Sequence, residues 1–120
     1  MYTGYLLTEK TRNELLALFP PKYETVVAHH VTREFGVPSD TTPPTMPDTV
    51  RAVGYIDSGD GVEGLLVEVD GSTTRPDGNL FHVTWSLANG RRAFETNKYV
   101  TLSEQVTPVD MSVEPKTFTR

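Results

Sequence analysis

From residue 37 onward, turn-forming clusters cut the chain into pieces no longer than single strands, and this punctuation limits the fold more than any other feature. The clusters are Asp57-Ser58-Gly59-Asp60-Gly61, Asp70-Gly71, Pro76-Asp77-Gly78 and Asn89-Gly90. Short apolar runs lie between them, at Val50 to Ile56, Val62 to Val69 and Leu80 to Leu87. Runs of that length read as strands, and the turn at 57–61 joins the first two as a hairpin. Residues 37–48 hold four prolines, Pro38, Pro43, Pro44 and Pro47. Proline lacks the amide proton that a ladder needs, so this segment reads as a stiff irregular loop.

A helix fits clearly only near the start. Residues 2–7 read as a strand. Thr8 then caps a helix whose apolar stripe is Leu15, Leu16 and Phe19, and Pro20-Pro21 stops it. Residues 24–36, with Val26, Val27, Val31 and Phe35, read as one long strand. Residues 91–102 form a loop or a short helix, and Val106 to Val113 a last strand. The expected fold is therefore α+β, mostly antiparallel strands with one N-terminal helix, in a single domain over residues 1–120.

Composition narrows the function. Hydrophobic residues are 37% of the chain, which is enough for one modest core and leaves no room for a separate cofactor domain. The net charge of −5 makes coating of long nucleic acid by charge alone a poor reading, although a few cations gathered locally can hold a short nucleotide. With no cysteine there is no disulfide framework, no thiolate metal site and no thiol nucleophile. The first residues carry no basic region, and their apolar stretch is too short for a leader or a span. The expectation is a soluble cytoplasmic protein with no membrane partner and no cofactor.

Two identical tripeptides stand out, His30-Val31-Thr32 and His82-Val83-Thr84. Side chains alternate across a strand, so His and Thr share one face in each and Val takes the other. By the same alternation Val31 and Phe35 face the core in the first strand. In the second, Phe81, Val83, Trp85 and Leu87 do so, leaving Ser86 beside His82 and Thr84. If the two strands are neighbours, two imidazoles and two hydroxyls converge. Imidazole titrates near neutral pH, so one can act as base and the other as acid, giving a bell-shaped pH profile with both limbs near neutrality. The hydroxyls donate to the non-bridging phosphate oxygens, and no metal is needed. A faint repeat accompanies the motifs: Gly4-Tyr5-Leu6-Leu7 precedes the first and Gly64-Leu65-Leu66-Val67 the second.

Paired His-x-Thr motifs on strands resemble the signature of the 2H phosphoesterase superfamily, over roughly residues 2–87. That superfamily includes cyclic phosphodiesterases acting on RNA ends and phage anti-CBASS nucleases that destroy cyclic oligonucleotide immune signals. The resemblance implies a compact two-lobed fold, pseudo-twofold around a central cleft, with His30 and His82 as the catalytic pair and Thr32 and Thr84 holding phosphate. It implies a metal-independent phosphodiesterase acting on a 2′- or 3′-linked nucleotide. A cyclic oligonucleotide is the favoured substrate, in a viral or mobile-element protein working in the host cytoplasm. The alternatives are a 2′,3′-cyclic phosphodiesterase on RNA ends and a nucleotide-binding sponge or sensor that does not cleave. Two departures from the family pattern are the short spacing between the motifs and Arg33, which stands where relatives have an aliphatic residue.

Further substrate-binding candidates are Tyr5, as a stacking ring, Ser86, and the basic cluster Arg91, Arg92 and Lys98, as a clamp on a second phosphate. Tyr55 is a weaker stacking ring, and the proline-rich loop can edge the cleft. His29 is expected on the Val31 face, opposite His30. A metal held by His30, His82 and Glu34 is the rival reading of the motif, and the acidic pair Asp57 and Asp60 reads as turn chemistry.

Overall fold

A computed structural model describes residues 1–119 of the chain. It contains strands β1 (Tyr2–Leu7), β2 (Thr25–Val26), β3 (His30–Phe35), β4 (Val50–Asp57), β5 (Val62–Val69), β6 (His82–Leu87), β7 (Glu104–Asp110) and β8 (Val113–Phe118). One α-helix, α1 (Glu9–Leu18), follows β1, and two short 3₁₀ helices, Ala93–Lys98 and Val100–Leu102, precede β7. All strands join one antiparallel sheet in the order β7-β4-β5-β6-β3-β1-β8, with β2 on β6. The fold is thus dominated by antiparallel strands, with a single α-helix.

The helix starts and stops as its sequence dictates. The Thr8 hydroxyl accepts the Thr11 N–H at 3.3 Å, and the Phe19 N–H closes the last turn on Leu15. Leu15 is fully buried, with Leu16 and Phe19 packed at the edge of the same core. That core is formed by Tyr5, Leu7, Val31, Val50, Leu65, Val67, Val83, Trp85, Met111 and Val113, with smaller neighbours. The Trp85 indole N–H donates to the Phe19 carbonyl at 2.7 Å, tying the end of α1 to β6.

The expected last strand is two strands, and they lie on opposite edges of the sheet. Only Met111 and Ser112 separate them. Three residue steps span at most about 11 Å, so the sheet curls until its edges approach each other there. Met111 is buried and its N–H reaches the Val50 carbonyl; the Ser112 N–H reaches the Thr11 hydroxyl at 2.8 Å. This is why residues 106–113 do not run straight.

Two irregularities govern the face that carries the motifs. Thr3 pairs with Glu34 and Gly4 with Thr32, which leaves Arg33 without a partner on β1. Glu63 pairs with Ser86 and Gly64 with Thr84, which leaves Trp85 without a partner on β5. Each His-Val-Thr is therefore followed at once by the extra residue of a bulge, and an extra residue reverses the alternation beyond it. The expected strand over 24–36 is also interrupted. Ala28 takes φ +44, a left-handed conformation that costs a non-glycine residue about 1 kcal/mol or more. Bonds from the Val27 and Ala28 amides to Trp85 and Thr84 keep it in place, and the Ala28 carbonyl accepts the Arg12 Nε–H at 2.9 Å.

Candidate functional site

The two motif strands are neighbours. Val31 pairs with Val83 in antiparallel register, and both are fully buried on the core side. His30, Thr32, His82 and Thr84 all line one cavity of about 500 Å³ on the other side of the sheet. Tyr2, Phe35, Arg75, Leu87, Arg91, Arg92, Phe94 and Asn97 also line it.

Burial sets the charge state of both imidazoles. Desolvation, with His29 and His82 close by, pushes His30 down from 6.5 to about 4. Desolvation also lowers His82; the Leu80 carbonyl opposes that shift and the Arg75 cation adds to it. Both rings are therefore neutral at pH 7 in the free protein. The His82 Nδ1 lies 2.9 Å from the Leu80 carbonyl oxygen. A carbonyl only accepts, so Nδ1 carries the proton and Nε2 keeps a lone pair.

The hydroxyls differ. The Thr84 hydroxyl donates to the Ala93 carbonyl at 3.2 Å and lies 2.9 Å from the Thr96 hydroxyl, so it ties β6 to the first 3₁₀ helix. Thr32 is buried and makes no such tie among the described residues. Among the predicted cations, Arg91 lines the cavity but is heavily engaged, donating to Glu95, to the Asp60 carbonyl and to the Tyr99 hydroxyl. Arg92 is exposed at the rim, without an ion-pair partner among the described residues. Lys98 and residues 37–48 lie outside the lining; the loop instead gives its Thr41 carbonyl to the Thr117 hydroxyl of β8.

Tyr5 and Ser86 are placed elsewhere. Tyr5 is 3% exposed and belongs to the core, opposite Val31, with its hydroxyl reaching Arg33. The bulge at Trp85 carries Ser86 away from His82 and Thr84. Ser86 is fully buried and donates to the Glu63 carboxylate at 2.6 Å, while Glu63 also accepts the Tyr55 hydroxyl and the Lys22 N–H. Tyr55 is thus held in this network with its ring stacked on Phe19, and it lies outside the cavity lining. The same two bulges bring Phe35 and Leu87 to the cavity, where simple alternation puts them in the core. His29 is likewise displaced. The turn at Ala28 leaves it exposed beside His30, with the two Nδ1 atoms 2.9 Å apart, and not on the Val31 face. Asp57 and Asp60 do serve turn chemistry, accepting from Gly59 and Ser58. Glu34 pairs with Arg33, and no cluster of three metal-ligating side chains occurs among the described residues.

Sequence reasoning missed Tyr2, Phe94 and Arg75. Arg75 is 3% exposed, forks onto Asp77 through two bonds of 3.0 Å and lies over the Phe35 ring at 5.4 Å. Asp77, two residues on, was a usable signal, because a buried arginine needs a carboxylate close by. Phe94 is 61% exposed at the cavity.

The histidine shifts make stability depend on pH with a definite sign. The unfolded chain takes up a proton at His30 near 6.5 and the folded chain only near 4. Within that window the unfolded state binds more protons, so stability falls as pH drops from about 6.5 to about 4. His82 acts in the same direction. A His30→Gln variant should lose less stability across that interval than wild type, by on the order of 2–3 kcal/mol. Denaturant titrations at pH 7 and pH 4.5 check this; parallel losses in both proteins would contradict it.

Among the described residues, no helix is long and apolar enough to cross a membrane. No family model, no curated protein and no solved structure matches the chain.

Proposed function

We propose that this cavity cleaves a 2′- or 3′-linked nucleotide phosphodiester by two-histidine acid–base chemistry without a metal, in the manner of the 2H phosphoesterases. One observation carries the reading. In a chain of net charge −5, a single cavity gathers both His-Thr pairs and three arginines with no carboxylate in its described lining; Asp77 pairs Arg75, Asp60 and Glu95 pair Arg91, and Arg92 has no ion-pair partner among the described residues. Such a lining favours an anion. The volume of about 500 Å³ falls in the range of small-molecule sites, and the exposed Phe94 ring offers a face on which a base stacks.

The register supports the pseudo-twofold arrangement that the resemblance implies. Val31 opposite Val83 is the point about which His30 exchanges with His82 and Thr32 with Thr84. Gly4 opposes Thr32 as Gly64 opposes Thr84, Tyr5 opposes Val31 as Leu65 opposes Val83, and Leu6 opposes His30 as Leu66 opposes His82. The faint sequence repeat is thus in step with the strand pairing.

In the reaction, a lone pair on one imidazole removes the proton of a ribose hydroxyl next to the phosphate. The alkoxide attacks phosphorus in line, the far P–O bond breaks, and the second imidazole protonates the departing oxygen. With a 2′,3′-cyclic phosphate, water takes the place of the ribose hydroxyl. Arg92 and Thr32 neutralise and hold the non-bridging oxygens. A cyclic oligonucleotide, with its stacked bases and closed backbone, is the favoured substrate, and the biological role is then the removal of an immune signal.

The test is incubation with cyclic di- and trinucleotides and with 2′,3′-cyclic nucleotides, with EDTA present, followed by chromatography. Linear products that form despite EDTA are expected. Tight binding without turnover would make the protein a sponge. Activity lost on chelation and restored by zinc or manganese would replace the two-histidine mechanism with a metal one.

A further inference from the structure

The two motif histidines are held differently. His82 donates from Nδ1 to the carbonyl two residues before it, at 2.9 Å. The corresponding carbonyl for His30 belongs to Ala28, where the chain takes φ +44 and the oxygen accepts from Arg12. The His30 Nδ1 instead meets the Nδ1 of His29 at 2.9 Å. Two neutral imidazoles make that contact only when one Nδ1 carries a proton and the other a lone pair.

Resting on the phosphodiesterase reading, we infer that His82 is the base and His30 the acid, and that His29 is a positioning residue that hands His30 a proton. His82 already presents its Nε2 lone pair, so the acid's role falls to His30, which must then carry its proton on Nε2. His30 is half-buried among Tyr2 of β1, Phe118 of β8, His29 and His82, none of them an anion, and it resists a charge of its own. His29 is exposed, so a positive charge on its ring stays hydrated. The Nδ1–H of His29⁺ donates to the Nδ1 lone pair of His30, which fixes the Nε2–H tautomer of His30.

The step balances. His30 gives its Nε2 proton to the leaving oxygen as the Nδ1 proton of His29⁺ crosses to the His30 Nδ1. The leaving alkoxide ends as an alcohol, His29 ends neutral, and His30 is neutral before and after with the opposite tautomer. The buried ring never holds a full charge. It finishes with a lone pair on Nε2, which suits it to activate water against the cyclic phosphate in a following step.

Two measurements test this. Long-range ¹⁵N–¹H spectra report the imidazole tautomers directly. His82 should be Nδ1–H and His30 Nε2–H in wild type, and His29→Ala should release the His30 tautomer. Finding His30 as Nδ1–H in wild type would overturn the inference. The second measurement compares adenosine 3′-phosphodiesters of methanol and of 4-nitrophenol. His29→Ala should slow the methyl ester about ten- to a hundredfold and the nitrophenyl ester less than about threefold, since a good leaving group needs no acid. His82→Ala should slow both. An equal loss on both esters in His29→Ala, or none on either, would rule out the relay. If wild type cleaved neither these esters nor any of the cyclic nucleotides above, the phosphodiesterase reading would fall and the relay with it, while the tautomers would still decide by themselves whether His29 positions His30.

Discussion

Replacing His30 or His82 by alanine is expected to reduce turnover of the true substrate by about 10²–10⁴, the usual contribution of a positioned general acid or base. The double variant should be little worse than either single one, because an acid and a base that serve one proton-transfer chain act as a unit. Substrate affinity should change only a few-fold, since Arg92 and Thr32 remain at the cavity. A nitrophenyl leaving group should rescue His30→Ala and leave His82→Ala slow. Thr32→Ala should cost about 2–3 kcal/mol of transition-state binding, one hydrogen bond to a charged oxygen, with the fold intact. Thr84→Ala should also lower the melting temperature, because its hydroxyl bonds the 3₁₀ helix at Ala93 and Thr96. Single-turnover kinetics and direct binding measurements separate these effects. If both His→Ala proteins kept near-full turnover, two-histidine catalysis would be wrong.

The second large effect is on stability. A Cβ at Gly4 would overlap the backbone carbonyl oxygen of Val31, an atom that has no rotamer to escape into. Gly4→Ala must therefore push β1 away from β3 at the pair that faces Thr32. The expected cost is about 3 kcal/mol or more, at the upper end of overpacking, with a fall in melting temperature on the order of 10 °C. Gly64 occupies the corresponding place opposite Thr84. There an added Cβ would lie 3.0 Å from the Val83 carbonyl oxygen and 3.0 Å from the Thr96 methyl carbon, one of which can move. Gly64→Ala should therefore cost clearly less. Thermal melts of the two variants decide the matter, and equal, small losses would mean that the close approach of β1 to β3 is not as tight as described.

Much of the architecture was legible because it rests on local chemistry. Thr8, the Leu15-Leu16-Phe19 stripe and Pro20-Pro21 specify where α1 begins, which face it buries and where it ends. The Asp57–Gly61 turn makes the β4–β5 hairpin through bonds confined to a few neighbouring residues. Residues 91–102 were ambiguous between loop and helix, and 3₁₀ helices lie between those descriptions. The site's centre was equally legible: period-2 alternation over three residues places His and Thr on one face and Val on the other, and Val31 and Val83 are buried as that requires.

What the sequence by itself determined is therefore local: the helix and its ends, the hairpin turns, and two short strands that each present a His and a Thr away from the core. Tertiary structure alone decided the rest. A bulge exists only relative to a partner strand, so nothing within β3 or β6 announces that Arg33 and Trp85 are extra residues. Yet those bulges move Phe35 and Leu87 to the cavity and send Ser86 to Glu63. The break at Ala28 depends on Arg12, sixteen residues earlier, and it places His29 against His30. The division of residues 106–113 into two edge strands depends on the curl of the whole sheet. Arg75 reaches His82 only because the loop between β5 and β6 folds back on itself, with Thr74 bridging to Leu80. Alternation is a property of a strand, but which face a residue finally occupies is a property of the pair, and pairing is set by contacts distant in sequence.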